Sequence, residues 1–256
     1  MRIDAIYISP VKSLALQRLE RAHLGRDGIA EDRRFFLIDA NERVFTQREY
    51  GALVQVRSAY HASPGRLRID FPDGTATEGE PASGAGVEGN FYGDPIPGEL
   101  APGPWDAAFS DFAGQPLRLA RATGTAFDTL PISICSAASV DEVRRHADAG
   151  AAIDERRFRP NLYITGVDAH GEDAWVGRRV RIGADAVVHV HMRDPRCVIT
   201  THSPDTGDTD INTLKIIAAY RTDQPKEVNF GVYGTVEHEG DVAVGDVITP
   251  LEEPRP

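Results

Sequence analysis

The 256-residue sequence predicts a mainly β protein with a few helices, an α+β chain of two parts. Three observations point that way. Short apolar–polar alternations recur at both ends of the chain, turn residues separate them, and only three stretches carry helical spacing. Between the two ends, 12 of the 27 residues from Glu78 to Pro104 are Gly or Pro. That density of chain-breakers predicts a long surface loop and a boundary, with an N-terminal β domain over 1–104 and a second domain over 105–256.

The first part reads as "IDAIYIS", "RRFFLID", "RVFT", "LVQVRSAY" and "RLRIDF", each alternating and each stopped by turn residues, the last by Pro72-Asp73-Gly74. Asn41-Glu42 predicts a hairpin turn that returns "RVFT" beside "RRFFLID". "WDAAFSDFAG" places Trp105, Ala108, Phe109 and Phe112 on one helical face, and Gly114 ends it. A strand "PLRLA" follows, then the apolar run "PISICS", where Ser136 or Ser139 caps a helix through "VDEVRRHAD". "RFRPNLYITG" returns to a strand opening at Pro160. "RRVRIG", "AVVHVHM", "CVIT", "VNFGVYGTVE" and "VAVGDVITP" predict further strands, interrupted by one helix, "NTLKIIAAYR", capped by Asp210 or Asn212.

Composition narrows the function. No apolar run approaches the roughly 18 residues that a membrane span requires. "MRIDAIYISP" lacks the apolar block of a signal peptide, so the expected location is the cytoplasm. A net charge of −11 argues against nucleic acid and anionic membrane as partners, since both reward excess Lys and Arg. Any anionic ligand must therefore meet a local cationic cluster. Only two cysteines are present, Cys135 and Cys197, far apart and outside any CxxC pair, so two free thiols are expected rather than a disulfide framework or an iron–sulfur site.

Three clusters could carry chemistry. Cys197 follows an arginine in "RDPRCVITTHSPDTG", and Arg193, Arg196 and Arg159 would favour its thiolate, the form that attacks or ligates. Cys135, inside the apolar "PISICS", reads as an inert core thiol. His189, His191, Cys197 and His202 supply four N/S donors within fourteen residues, a possible zinc set, although their spacing matches no zinc ribbon, finger or H-E-x-x-H site. The third cluster is cationic: Lys12 and Ser13, Arg33 and Arg34, and Arg156, Arg157 and Arg159. Guanidinium forks with one ammonium suit a phosphate-bearing cofactor, and no P-loop or G-x-G-x-x-G fingerprint points to a nucleotide.

Six segments in this order resemble the MOSC proteins, named for the C-terminal domain of molybdenum cofactor sulfurases. They are "SPVKS" at 9–13, "DRRFFLID" at 32–39, "FRPNLYITG" at 158–166, "RCVITTHSPDTG" at 196–207, "NFGVYG" at 229–234 and "VAVGDVI" at 242–248. The likeness is to the two-part subgroup that includes the mitochondrial amidoxime-reducing components. It implies an N-terminal β domain packed on a C-terminal MOSC β-barrel, with the molybdenum cofactor between them.

By the same resemblance, Cys197 is the thiolate that binds molybdenum. Lys12, Ser13, Arg34 and Arg159 match positions that hold the pterin and its phosphate. Thr129 and Leu130 fall where relatives use a Thr-Ser pair, so Leu130 offers only backbone. Asn161, Arg196 and Tyr233 match further pocket positions. Ser203 stands where relatives often have Asp. The implied activity is reduction of small N-hydroxylated compounds with electrons from a separate donor protein of ferredoxin or flavoprotein type. A non-enzymatic carrier of molybdenum cofactor or sulfur on Cys197 is the alternative, and a zinc-binding or plain interaction protein is the third.

Overall fold

The computed structural model describes residues 1–124, 126–151, 153–222 and 227–252. In chain order the first half holds β1 (Arg2–Ile8), β2 (Gln17–Leu19), β3 (Arg21–Gly25), β4 (Gly28–Ile29), β5 (Phe35–Ile38), β6 (Val44–Phe45), β7 (Arg57–His61), β8 (Arg66–Asp70), β9 (Ala76–Gly79), β10 (Gly86–Phe91), β11 (Asp94–Leu100), α1 (Pro104–Ala113) and β12 (Arg118–Ala122). The second half holds β13 (Ile132–Ser136), α2 (Ala137–His146), β14 (Leu162–Thr165), β15 (Arg179–Ile182), β16 (Ala186–Pro195), α3 (Thr213–Tyr220), β17 (Asn229–His238), β18 (Gly240–Ala243) and β19 (Ile248–Pro250).

The largest sheet runs β19-β15-β16-β17-β13-β14-β1-β2. It closes on itself. Arg2 bridges Val247, Ile3 N donates to Asp246 O at 3.0 Å and Ile248 N donates to Met1 O at 3.0 Å, so β1 meets the chain entering β19. Closure removes the unpaired edge that an open sheet would expose. Alternation fills the interior: Ile3, Ile134, Ile164, Val188, Val232 and Ile248 form one buried cluster, while the arginines of β15 face outward.

β13 and β14 pair in parallel, with α2 as the crossover between them, which explains why "PISICS" is continuously apolar. Ser136 starts α2 by accepting from Ser139 N at 3.2 Å, and its hydroxyl also meets the Ser139 hydroxyl at 2.6 Å. Ser139 in turn donates to Glu172 at 2.8 Å. Replacing Ser136 by Ala is expected to cost about 1–2 kcal/mol, a fall of roughly 2–6 °C in thermal midpoint for a chain of this size. An unchanged midpoint in a calorimetric scan would show that the cap carries nothing.

The N-terminal half builds two smaller sheets, β10-β11-β12-β5-β6 and β7-β8-β9, over a core that includes Phe35, Leu53, Ile69, Trp105, Phe109 and Leu119. α1 buries Trp105 and Phe109 there and stops at Gly114 in the left-handed conformation, as the sequence predicts. The hairpin at Asn41-Glu42 also forms, with Glu42 at φ 60°.

Two expectations, the long loop and two of the strands, are corrected. The Gly/Pro-rich segment is not one long loop, because it contains β10 and β11. A Cβ on Gly89 would stand 2.6 Å from the Phe36 ring, and one on Gly98 would stand 2.5 Å from Arg121 O, so these glycines make room for neighbours inside a sheet. The sheets also interleave across residue 104: β12 pairs with β5, and β1 belongs to the barrel. "CVIT" forms a turn of 3-10 helix over Val198–Thr201, and "LVQV" forms another over Gly51–Gln55 before β7. Among the described residues no helix is long and apolar enough to cross a membrane.

Candidate functional site

β16 runs out at Pro195, and the chain turns at Cys197 into the 3-10 helix. There, at one mouth of the barrel, a cleft of about 290 Å³ opens between the barrel and the N-terminal half. Cys197, Lys12, Ser13, Thr129, Leu130 and Arg159 line it, as do Asn161, Arg196 and Tyr233. Of the residues that the resemblance assigns to the cofactor, Arg34 alone is not on this cleft; Arg33 lines it, while Arg156 of the cationic cluster lines a separate cleft. Arg33 has φ 46°, and this left-handed turn sends its side chain toward Asp32 and Phe127, whereas Arg34 lies by Glu31.

A buried lattice sets these residues. Lys12 N donates to Phe35 O at 2.8 Å and Arg33 N to Ser9 O at 2.9 Å, fastening the two N-terminal motifs together. Asp32 accepts from Ser9 N at 2.7 Å and from the Asn161 amide at 2.8 Å, tying them to the barrel. The Asn161 side chain also donates to Tyr7 O and accepts from Ser133 N, so its hydrogen bonds within the protein make it a positioning residue. Among the described residues, four of the seven non-glycine residues with positive φ line this one cleft: Ser13, Arg33, Tyr92 and Arg159. Such backbone strain concentrates where structure is held for function.

The charges are unequal. Six basic and three acidic side chains face the cleft of a protein whose net charge is −11. Lys12 is buried, donates to Ala126 O at 2.7 Å and pairs with Asp128; burial lowers its pKa against the pull of that carboxylate. Burial works against the Arg33 charge too, and Asp32 more than offsets it. Arg157 is committed to Asp210 at 2.6 Å. Arg159 differs: among the described residues it has no ion-pair partner, and it donates only to Leu14 O at 2.8 Å. Burial and the nearby Arg33 push its pKa down to about 10. A half-buried guanidinium that Asp128 and Asp32 support without pairing to it keeps donors for an anion.

The two thiols occupy opposite surroundings. Cys135 is fully buried, and burial pushes its pKa well up. Cys197 is partly exposed. The arginines beside it in sequence do not turn to it. Arg193 pairs with Asp173 at 3.1 Å, and Arg196 lies 2.7 Å from Asp194 while donating to the Phe158 and Phe230 carbonyls. Burial, opposed by Arg196, raises the Asp194 pKa to about 7. The arginine from the N-terminal half that shares the cleft with Cys197 is Arg48; burial works against the Arg48 charge, and Cys197 and Tyr92 favour it. Nothing local in "FTQREY" signals this, because the arrangement arises only when the two halves meet.

The zinc set does not assemble. His189 and His191 lie side by side on β16 with ring centroids 4.3 Å apart, and His202 lines a separate cleft of about 590 Å³. Among the described residues no three His, Cys, Asp or Glu side chains gather to hold a metal. The turn after His202 serves docking instead. A Cβ on Gly207, at φ 81°, would stand 2.0 Å from Gly51 O, and Gln55 donates to Thr206 O at 2.9 Å. Glycine at 207 thus permits the closest approach between the cysteine loop and the N-terminal half.

Comparison with known proteins gives two family matches: residues 121–249 match the MOSC domain, and residues 1–90 match the MOSC N-terminal beta barrel domain. The chain is 26% identical over 280 residues to mitochondrial amidoxime reducing component 2 of Bos taurus, covering 96% of this chain and 82% of that one. The protein of the same name from Homo sapiens is 36% identical over 132 residues, 47% of this chain and 37% of its own length. Molybdenum cofactor sulfurase of Oryza sativa subsp. japonica is 21% identical over 277 residues, 91% of this chain and 32% of that protein.

Proposed function

The chain belongs to the MOSC family, and from that premise we propose that it binds the molybdenum cofactor in the barrel-mouth cleft and reduces small N-hydroxylated compounds. The observation that carries this reading is the donor set: one accessible soft thiol, Cys197, in a cationic cleft of an acidic protein, with Arg159 on the same cleft and in no ion pair among the described residues. Such a set fits a group that joins a thiophilic metal to an anionic tail.

In this reading Cys197 would ligate the metal, and Lys12, Ser13, Arg33 and Arg159 would hold the phosphate. Arg33 takes the role the sequence assigned to Arg34, on the ground of its place in the cleft. Thr129 and Leu130 would meet the pterin, Leu130 through backbone alone. Phe91, Phe127 and Leu130 give the cleft an apolar side that excludes water. When bound, the cofactor would supply two-electron redox chemistry: the N–O bond breaks, two electrons and two protons enter, and water leaves. The electrons would come from a separate ferredoxin or flavoprotein.

Likeness to a sulfurase over most of the chain supports a second reading, in which Cys197 carries cofactor or sulfur without turnover. One assay separates the two. Molybdenum-loaded protein with an artificial electron donor is expected to convert benzamidoxime to benzamidine. Absence of product across several N-hydroxylated compounds, with molybdenum content verified, would favour the carrier and end the reductase reading.

A further inference from the structure

β10 and β11 are joined by two residues, Tyr92 and Gly93, with φ 54° and 104°. A two-residue hairpin loop with both φ positive is the type I′ arrangement, which Asn-Gly fits without strain. Tyrosine is a costly choice at the first position, since a bulky side chain rarely adopts the left-handed region. What the position gains is a ring on the rim of the Cys197 cleft.

That ring is held but not covered. Its hydroxyl donates to Glu49 at 2.6 Å, and Glu49 is itself fixed by the Thr46 amide and hydroxyl at 2.9 and 2.7 Å. The Arg48 guanidinium carbon stands 4.6 Å from the ring centroid, and the Phe91 ring meets it edge-on at 5.0 Å. Even so, Tyr92 is 56% exposed. Two further aromatic rings on the cleft carry cations as Tyr92 carries Arg48, but neither is as exposed: Lys12 lies 4.3 Å from the Phe91 centroid and Arg33 lies 5.9 Å from that of Phe127. An aromatic placed to seal the hairpin would be buried, as Trp105 is.

We propose that Tyr92 is a substrate platform that selects planar aromatic N-hydroxylated compounds over aliphatic ones. The proposal rests on the reductase reading and names the substrate class for that site. A neutral aromatic amidoxime would lay its ring against Tyr92 in the cleft that Cys197 and Arg48 line. The amidine formed takes up a proton in water, and Arg48 beside the Tyr92 ring then disfavours it, which assists release.

Tyr92→Asn tests this because asparagine suits the turn. The variant is expected to unfold at the same temperature as wild type or a higher one. With the artificial donor, its preference for benzamidoxime over acetamidoxime, as a ratio of kcat/KM, is expected to fall about fivefold, the scale of one aromatic contact. Tyr92→Phe should keep the ratio. In cofactor-free protein, saturation-transfer NMR should detect benzamidoxime on wild type and lose it in Tyr92→Asn. An unchanged ratio in Tyr92→Asn overturns the proposal, and so does a lowered unfolding temperature with the ratio intact, which would mark the ring as structural. A rate loss seen only with a protein donor would make the ring a partner contact and overturn it too. If loaded wild type reduces neither compound, the reductase reading falls, and the NMR comparison on cofactor-free protein still decides whether Tyr92 binds aromatic ligands.

Discussion

Cys197→Ser is expected to lose at least a hundredfold in turnover, together with its molybdenum, in protein that folds like wild type. The sulfur takes no part in the cap of the 3-10 helix that follows it. Cys197 caps the 3-10 helix only through its backbone carbonyl, which accepts from Thr200 N at 3.2 Å and from the Thr200 hydroxyl at 3.1 Å, and the side chain makes no cap bond. A hydroxyl at a partly exposed position is readily hydrated, so the stability change should stay within about 0.5 kcal/mol. Ser keeps the volume and removes the soft ligand, which isolates the metal bond as the variable. Cys135→Ser is the matched control: a hydroxyl placed in that apolar core costs about 1–3 kcal/mol, and activity per folded molecule holds. Metal analysis and turnover on the same preparations decide it. Full molybdenum and full activity in Cys197→Ser would take the thiol out of the site.

The strands and helices could be read from the sequence wherever burial is one-sided. β15 alternates exposed and buried residues along "RVRI", and α1 spaces Trp105 and Phe109 onto the core, so local pattern and tertiary packing agree. The reading failed where a residue answers to a distant partner. Gly89 and Gly98 look like loop formers, yet they yield space to Phe36 and to Arg121 O, contacts that no local window contains. Arg193 and Arg196 look like neighbours of Cys197 because they are close in sequence, but Asp173 and Asp194 claim them. Arg48 and Tyr92 carried no local signal, since both reach the cleft only through assembly of the N-terminal sheets. Arg33 and Arg34 are indistinguishable as letters, and a left-handed φ separates them.

That separation gives the second large effect. Arg33→Ala combined with Arg159→Ala is expected to lower cofactor retention a hundredfold or more, because each charge-assisted contact contributes about 1.5–3 kcal/mol and, on the proposed reading, the two guanidinium groups would contact one anion. Arg34→Ala, outside the cleft, is expected to retain cofactor as wild type does. Arg159→Ala alone carries a further signature. The folded chain bears the cost of a cation that burial disfavours and that no ion pair among the described residues repays; the Ser9 hydroxyl, which donates to Val11 O at 2.8 Å, can turn to Leu14 O at 3.1 Å when the guanidinium is removed, because Val11 O keeps the Leu14 amide. Cofactor-free Arg159→Ala is therefore expected to unfold no earlier than wild type. Millimolar inorganic phosphate should raise the unfolding temperature of cofactor-free wild type and leave the variant unmoved, since a ligand stabilises only a fold that binds it. A destabilised Arg159→Ala that phosphate still protects would mean that this guanidinium serves the fold and that the anion sits elsewhere. Equal losses of cofactor from Arg34→Ala and Arg33→Ala would return the phosphate contact to the residue the sequence first suggested.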